Sequence, residues 1–166
     1  GWGSVLTIAQ GHIAVDNGSS IVGTEILAPN SEINVYHSVL NASGATSNTL
    51  RANGSMVTLT NSSFSGEVVS EHNAKVEFYD SPLNNVNVHQ NSSFIYGGDS
   101  IVSLSVYGNS HAHLGGANVA NVEVNMGSTL DFYQVDISGN VNVYGQSNFV
   151  ANESSFSDSA FLHTAD

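Results

Sequence analysis

Two consecutive stretches of equal length, NSSFIYGGDSIVSLSVYG (91–108) and NSHAHLGGANVANVEVNM (109–126), decide the fold. Set one above the other, they place Phe94 over Ala112, Tyr96 over Leu114, Ile101 over Val119, Leu104 over Val122 and Val106 over Val124. Apolar residues two apart, with polar residues between them, mark strands that turn one face inward; a helix would need spacings of three and four. A unit of this length that repeats reads as one coil of a solenoid, with successive coils stacking to bury a shared interior.

Working outward, rows that begin at Gln10, Asn30, Gly54, Asn73, Asn91, Asn109, Gly127 and Gln146 carry the pattern along the chain, with row lengths of 20, 24, 19, 18, 18, 18 and 19. The fourth place holds Ile13, Ile33, Val57, Val76, Phe94, Ala112, Leu130 and Phe149, and the sixth holds Val15, Val35, Leu59, Phe78, Tyr96, Leu114, Phe132 and Ala151. All sixteen are hydrophobic in a chain whose background is 40% hydrophobic, so chance does not account for them. The eleventh place continues with Leu40, Phe64, Leu83, Ile101, Val119, Ile137 and Phe156, and row one supplies Ile21 one residue late. A third strand reads Val68-Val69, then Val86 with Val88, Leu104 with Val106, Val122 with Val124 and Val141 with Val143, with Leu6 and Ile8 as its expected counterpart before row one.

Three strands per coil predict a roughly triangular section. The first place is always Asn, Gly or Gln and the second mostly Ser, Ala or Gly, which marks a corner built on residues that tolerate left-handed backbone. Left-handed hexapeptide helices also have 18-residue coils but need an apolar residue every six places, and the tenth place here holds Val39, Ser63, Pro82, Ser100, Asn118 and Asp136. The expectation is therefore a single domain over 1–166: a right-handed parallel β-helix of about eight coils of 18–20 residues, a rod on the order of 40 Å long. Row two, the longest, predicts a protruding loop near 41–48. Both ends read as open, unless Trp2 folds over the first coil, and Phe161-Leu162-His163 stops partway round a turn. Open strand edges invite pairing with other chains.

Composition narrows the function. The 166 residues suffice for one domain with a core. Only Arg51 and Lys75 are basic, against fourteen carboxylates and a net charge of -12, which argues against nucleic acid and anionic membranes as partners. No run of about 18 or more apolar residues occurs, and no basic region followed by an apolar stretch opens the sequence, so neither a membrane span nor a retained signal peptide is expected in these residues. Charged residues are 10% of the chain, and the Asn-, Ser-, Gly- and Thr-rich remainder suits a secreted or cell-surface β-protein. No cysteine is present, so disulfides and cysteine-based metal or redox sites are excluded. Asn-x-Ser triplets begin at Asn17, Asn41, Asn53, Asn61, Asn91 and Asn152; a chain this rich in Asn and Ser produces such triplets by chance, and in a secreted protein each is also a glycan acceptor.

The search for chemistry yields no catalytic set. A lyase acting on acidic polysaccharide needs basic residues, and the two available read as structural, Arg51 before a corner and Lys75 beside Glu77 on one outward face. A hydrolase needs paired carboxylates in one groove; Glu77 and Asp131 share an outward column two coils of other residues apart, and Asp80, Asp99 and Asp136 fall in different columns. No strained nucleophile turn marks a Ser-His-Asp triad. Ranked outward threonines, as an ice-binding face would have, are also missing. No cofactor is implied.

Two weaker candidates remain. His111 and His113 point outward from one strand with Asp131 beside His113 in the next coil, a geometry that suits a divalent metal, although exposed strand histidines are more often simply solvated. Tyr36, Tyr79 and Tyr133 share an outward column, with Tyr107 and Tyr144 elsewhere on the surface; aromatic faces stack on sugars, but Thr60, Gly97, Gly115 and Asn152 interrupt the column and ordinary cross-strand packing competes.

The rows Asn91-Ser-Ser-Phe-Ile-Tyr-Gly-Gly and Asn109-Ser-His-Ala-His-Leu-Gly-Gly resemble the repeats, roughly 19 residues long, of the passenger domains of self-associating autotransporter adhesins. The resemblance spans nearly the whole chain and rests on generic repeat features. It implies a right-handed β-helix exported to the cell surface, promoting adhesion or aggregation through polar ladders along its side; these 166 residues hold no C-terminal membrane barrel, so the resemblance implies a passenger fragment or a free relative. The functional expectation is a non-enzymatic extracellular structural or adhesive solenoid that associates with itself or forms fibres. The alternative is a polysaccharide-binding module or carbohydrate-active enzyme, with a cell-surface glycan as its partner.

Overall fold

The computed structural model describes residues 4–7, 11–16, 18, 20–22, 24–42, 44–157 and 161–165, with side chains left out at 4–7, 11–12, 24–25, 27–31, 36 and 161–165. Its strands pair in parallel throughout and stack as a β-solenoid of about seven turns. Among the described residues one sheet has eight strands, whose seven steps are the turns, from Ser20–Val22 and Val39–Ala42 through Met56–Thr60, Lys75–Tyr79, Ser93–Gly97, His111–Gly115 and Thr129–Tyr133 to Asn148–Asn152. The other has twelve and is wider, because the second and third inward-turning segments of a coil are usually joined in one bent strand, as in Thr24–Tyr36, Gly44–Asn53, Ser63–Glu71, Ser100–Val106 and Asn118–Val124. The bend shows in the burial pattern of Ser100–Val106, where the inward residues Ile101, Leu104 and Val106 are spaced first by three and then by two. Two neighbouring residues face outward at that point, and the chain turns the corner without leaving the ladder.

The central rows stack as the sequence predicts. Val57, Val76, Phe94, Ala112 and Leu130 lie in one fully buried column in successive register, with half-buried Phe149 following. Aromatic rings fill the interior of these coils. Phe64 meets Phe78 edge-on at 5.7 Å, Phe78 lies 6.2 Å from Phe94, and Phe132 meets Phe149 edge-on at 5.3 Å. Burying each such side chain contributes about 1.5–3 kcal/mol. Tyr96 is also buried, and its hydroxyl donates to the Ser81 carbonyl at 2.7 Å, so no polar group is stranded there.

The first two rows are corrected. Val57 pairs with Leu40, and Leu40 with Ile21, whereas Ile33 pairs with Ile13 on one side and Leu50 on the other, and Leu50 leads to Val68. Ile13 and Ile33 therefore belong to the third-strand column, and Ile21 and Leu40 to the first. Leu6 pairs with Ile26, and Ile26 with Ala45, at the start of the second strand rather than in the third, and Ile8 and Trp2 lie outside the described residues. The long row and its loop disappear with this correction. Residues 39–42 and 44–53 are strands, and Ala45, Ser47, Leu50 and Ala52 point inward. Any residue of a β-coil can begin a row of alternating apolar residues, so a slip by one strand leaves the pattern looking intact.

The corners have a specific chemistry. Asn73, Asn91 and Asn109 have φ of 63°, 61° and 58°, the left-handed backbone expected at the first place, and each donates its N–H to a carbonyl of the next coil. A second left-handed corner, which the sequence reading did not identify, runs through Asn61, Asp80, Gln134 and Glu153. The small residues of the second place form an inward seam. The backbone N–H of Ser92 donates to Ser110 Oγ, and that of Ser110 to Ser128 Oγ, both at 3.2 Å across 18 residues. The parallel seam at the other corner links Ala45 N to Ser62 Oγ and Ser62 N to Ser81 Oγ, both at 2.9 Å. Each bond satisfies a buried amide that the turn removes from the ladder.

Candidate functional site

The two sheets carry two distinct outer surfaces. On the wide sheet, correct stacking brings together residues that the sequence rows kept apart. Asn34 pairs with Arg51 and Arg51 with Val69, while Asn53 pairs with Glu71 and Asn85 with Glu67. Arg51 Nη1 meets Glu71 Oε1 at 2.9 Å, and Asn53 Nδ2 donates to the same oxygen at 3.2 Å. The other oxygen lies 3.6 Å from His89 Nε2 and 3.9 Å from His72 Nδ1. The His89 ring stacks flat on Tyr107 with centroids 4.9 Å apart and an interplanar angle of 1°. Beside this cluster lies a cleft of about 180 Å³ lined by Glu32, Asn34, Thr49, Leu50, Arg51, Glu67 and Val69.

The electrostatics follow from the contacts. Burial alone would push the Glu71 carboxyl up, but the hydrogen bonds from Arg51 and Asn53, with the charges of Arg51 and His89, outweigh it and hold Glu71 below its ordinary value. Burial lowers His89, the attraction of Glu71 opposes this, and repulsion from Arg51 and His72 reinforces it, so the ring favours its neutral form. Glu32 and Glu67 face the same cleft from strands two coils apart, a backbone separation of about 10 Å. Glu67 Oε1 accepts from Asn87 Nδ2, which ties it to the next coil. Arg51 is thus more than a residue before a corner: it is the cation at the centre of a polar cluster. The sequence missed the cluster because Glu32 and Asn34 had been set in the wrong column.

On the narrow sheet, His113 and Asp131 are in register as expected, yet the side-chain contact is diagonal, with His111 Nε2 3.1 Å from Asp131 Oδ2. Asp131 leans away from the residue directly across from it. Among the described residues, no group of three or more His, Cys, Asp or Glu is placed to hold a metal ion, so His111, His113 and Asp131 do not assemble as a ligand set. Lys75 Nζ meets Glu77 Oε1 at 2.7 Å, which raises the lysine, and Thr58 Oγ1 donates to Glu77 Oε2 at 3.4 Å. Tyr79 and Tyr133 are exposed on one column, with Gly97 and Gly115 between them; the side chain of Tyr36 lies outside the described residues.

No family model matches the sequence, and neither a curated protein nor a solved structure matches it. The class defined by the fold is a parallel β-solenoid, and any functional reading rests on the two surfaces just described.

Proposed function

We infer that the chain is a non-enzymatic structural or adhesive β-solenoid of the cell exterior, and that it works by lateral contact through its flat outer faces. One observation carries this reading: several of the acidic side chains are tied to neighbouring coils. Glu71 is bound to Arg51, Asp131 to His111, Glu77 to Thr58, Glu153 to Gln134 and Asp136 to Ser155, each pairing crossing one coil. A general acid or base needs a carboxyl aimed at a substrate with its proton affinity tuned for transfer. These carboxylates instead act as clasps along the rod, which suits a scaffold whose exterior is a regular array of hydrogen-bonding groups. The repeat likeness to adhesin passenger domains supports the same reading, with a second copy of the chain as a natural lateral partner.

A glycan-binding role is the second reading, favoured by the exposed tyrosines on the narrow sheet. Sedimentation velocity from micromolar to millimolar protein, together with aggregation of beads coated with the chain, tests the first. Concentration-dependent assembly and clumping of beads are expected. A protein that stays monomeric and leaves beads dispersed overturns the adhesive reading, as does release of reducing sugar from a polysaccharide that is lost in Glu67→Gln.

A further inference from the structure

Glycine inside a strand weakens it and commonly marks a place where something approaches closely. Gly97 and Gly115 sit in adjacent strands of the narrow sheet, directly in register. Neither has the positive φ that would call for glycine. Gly97 has a packing reason: a Cβ there would lie 3.1 Å from Cδ1 and 3.5 Å from Cε1 of Tyr79, so the tyrosine ring occupies the space above it. Gly115 has no such reason. The only atom within 4 Å of a Cβ at that position is the backbone oxygen of Tyr133 at 3.9 Å, and at the neighbouring Gly116 nothing lies within 4 Å.

Gly115 is therefore an open floor. One coil to one side stands the Tyr79 ring over Gly97; one coil to the other side stands Tyr133, 44% exposed. Each aromatic boundary is about one coil spacing, roughly 4.8 Å, from a ring centred over Gly115, inside the range of about 4.5–7 Å at which rings pack against aromatic side chains. Hydrogen-bonding groups border the floor. His113 is outward and exposed two residues before Gly115 on the same strand, with Asp131 in register beside it. The Asp80 carboxylate reaches to 3.0 Å from a Cβ position on Gly98, at the corner next to the Tyr79 ring.

We propose that Tyr79, Gly115 and Tyr133 form a subsite for the ring of a neutral pyranose sugar, with His113 facing its hydroxyls while Asp131, held by His111, lies beyond it. The walls offer aromatic carbon to the apolar C–H faces of the sugar, and the missing side chain at 115 is the space the sugar fills. Asp80 and Asp131 set the charge preference, because a uronic acid would bring its carboxylate against theirs. The subsite deepens the glycan-binding reading and does not need the solenoid to associate with itself, so a monomeric protein that binds sugar would sink the adhesive reading and leave this one standing.

The test is isothermal titration of the whole chain with cellohexaose, maltohexaose and chitohexaose, and with oligogalacturonate as the acidic counterpart. At least one neutral oligosaccharide is expected to bind saturably, and the acidic one is not. Gly115→Leu fills the floor at a position where φ is not positive and a Cβ would meet nothing closer than 3.9 Å, and it should abolish binding while the melting curve stays cooperative. Tyr133→Ala removes one wall and should weaken binding about tenfold, whereas Val102→Ala, on the other sheet, should leave it as in the wild type. The proposal is overturned if no neutral sugar binds, if the acidic sugar binds equally well, or if binding survives both Gly115→Leu and Tyr133→Ala.

Discussion

The coils before Ser55 and those from Met56 onward close the same interior by different means. In the central coils the ladder advances by 18 residues for several turns, and the interior is aromatic, with Phe78, Phe94, Tyr96 and Phe132 in the stack. In the earlier coils the second and third strands run together over thirteen and ten residues, the ladder slips between Ala28 and Glu32 and again between Ser47 and Leu50, and the buried residues include Ala42, Ala45 and Ala52. A coil is thus not one sequence pattern. It is a condition that inward side chains fill the section and that every amide finds a partner in the next coil, and a bulge with small residues meets it as well as a regular turn with large ones.

The largest test of this contrast is a cut in the aromatic stack. Phe78 touches Phe64 on one side and Phe94 on the other, so Phe78→Ala should cost about 3–5 kcal/mol in urea-induced unfolding. A cost below that of Ala52→Gly would abolish the distinction between the two kinds of coil.

A smaller effect is expected where a central coil takes an extra residue. Between the inward residues Phe64 and Val68, and again between Ile137 and Val141, three residues replace the usual two, and the middle one is Gly66 or Gly139. A Cβ on Gly139 would lie 2.4 Å from the Ala120 carbonyl oxygen, and one on Gly66 would lie 2.8 Å from Asn48 Oδ1 and 3.0 Å from the Asn48 carbonyl oxygen. The longer coil fits because its corner presses backbone against backbone. Gly139→Ala should therefore destabilise by about 1–3 kcal/mol, measured as a shift in the urea midpoint, while the same change at Gly115 should leave the midpoint in place.

The finest test is pH, because the Arg51–Glu71–His89 cluster joins the two regions. Glu71 is held below its ordinary value of 4.5, so its stabilising contribution is complete above 4.5 and is lost as pH falls through its lower folded value. His89 is also lowered, from 6.5, so the folded state resists its protonation and stability declines as pH drops below 6.5. Both groups act in the same direction. The protection factors of residues 44–53, taken against the intrinsic exchange rate at each pH, should fall between pH 7 and pH 4 more than those of residues 111–133, and Glu71→Gln should reduce the difference.

Much of this was legible in the sequence. Alternation at Phe94 and Tyr96, or at Leu104 and Val106, specifies strands by itself, and Asn73, Asn91 and Asn109 specify corners, because side-chain period and left-handed tolerance are local properties. The Arg51 cluster was not legible, because Glu32, Arg51, Glu67 and Glu71 meet only through the register of three coils, and alternation alone does not fix that register in the first two. Nor was the diagonal bond of Asp131 to His111 in place of His113, which depends on the lean of a side chain between columns.

The amino-acid sequence determined that this chain winds into stacked parallel coils around an apolar interior, since each residue's preference for facing inward or outward is fixed by its own polarity and its place in an alternating row. Only the tertiary structure decided which coil sits against which in the N-terminal turns, which charges clasp one another, and that Gly115 is a floor without a packing duty. Those facts reside in contacts between residues 17 to 20 positions apart, and an alternating pattern looks the same to itself after a slip of one strand.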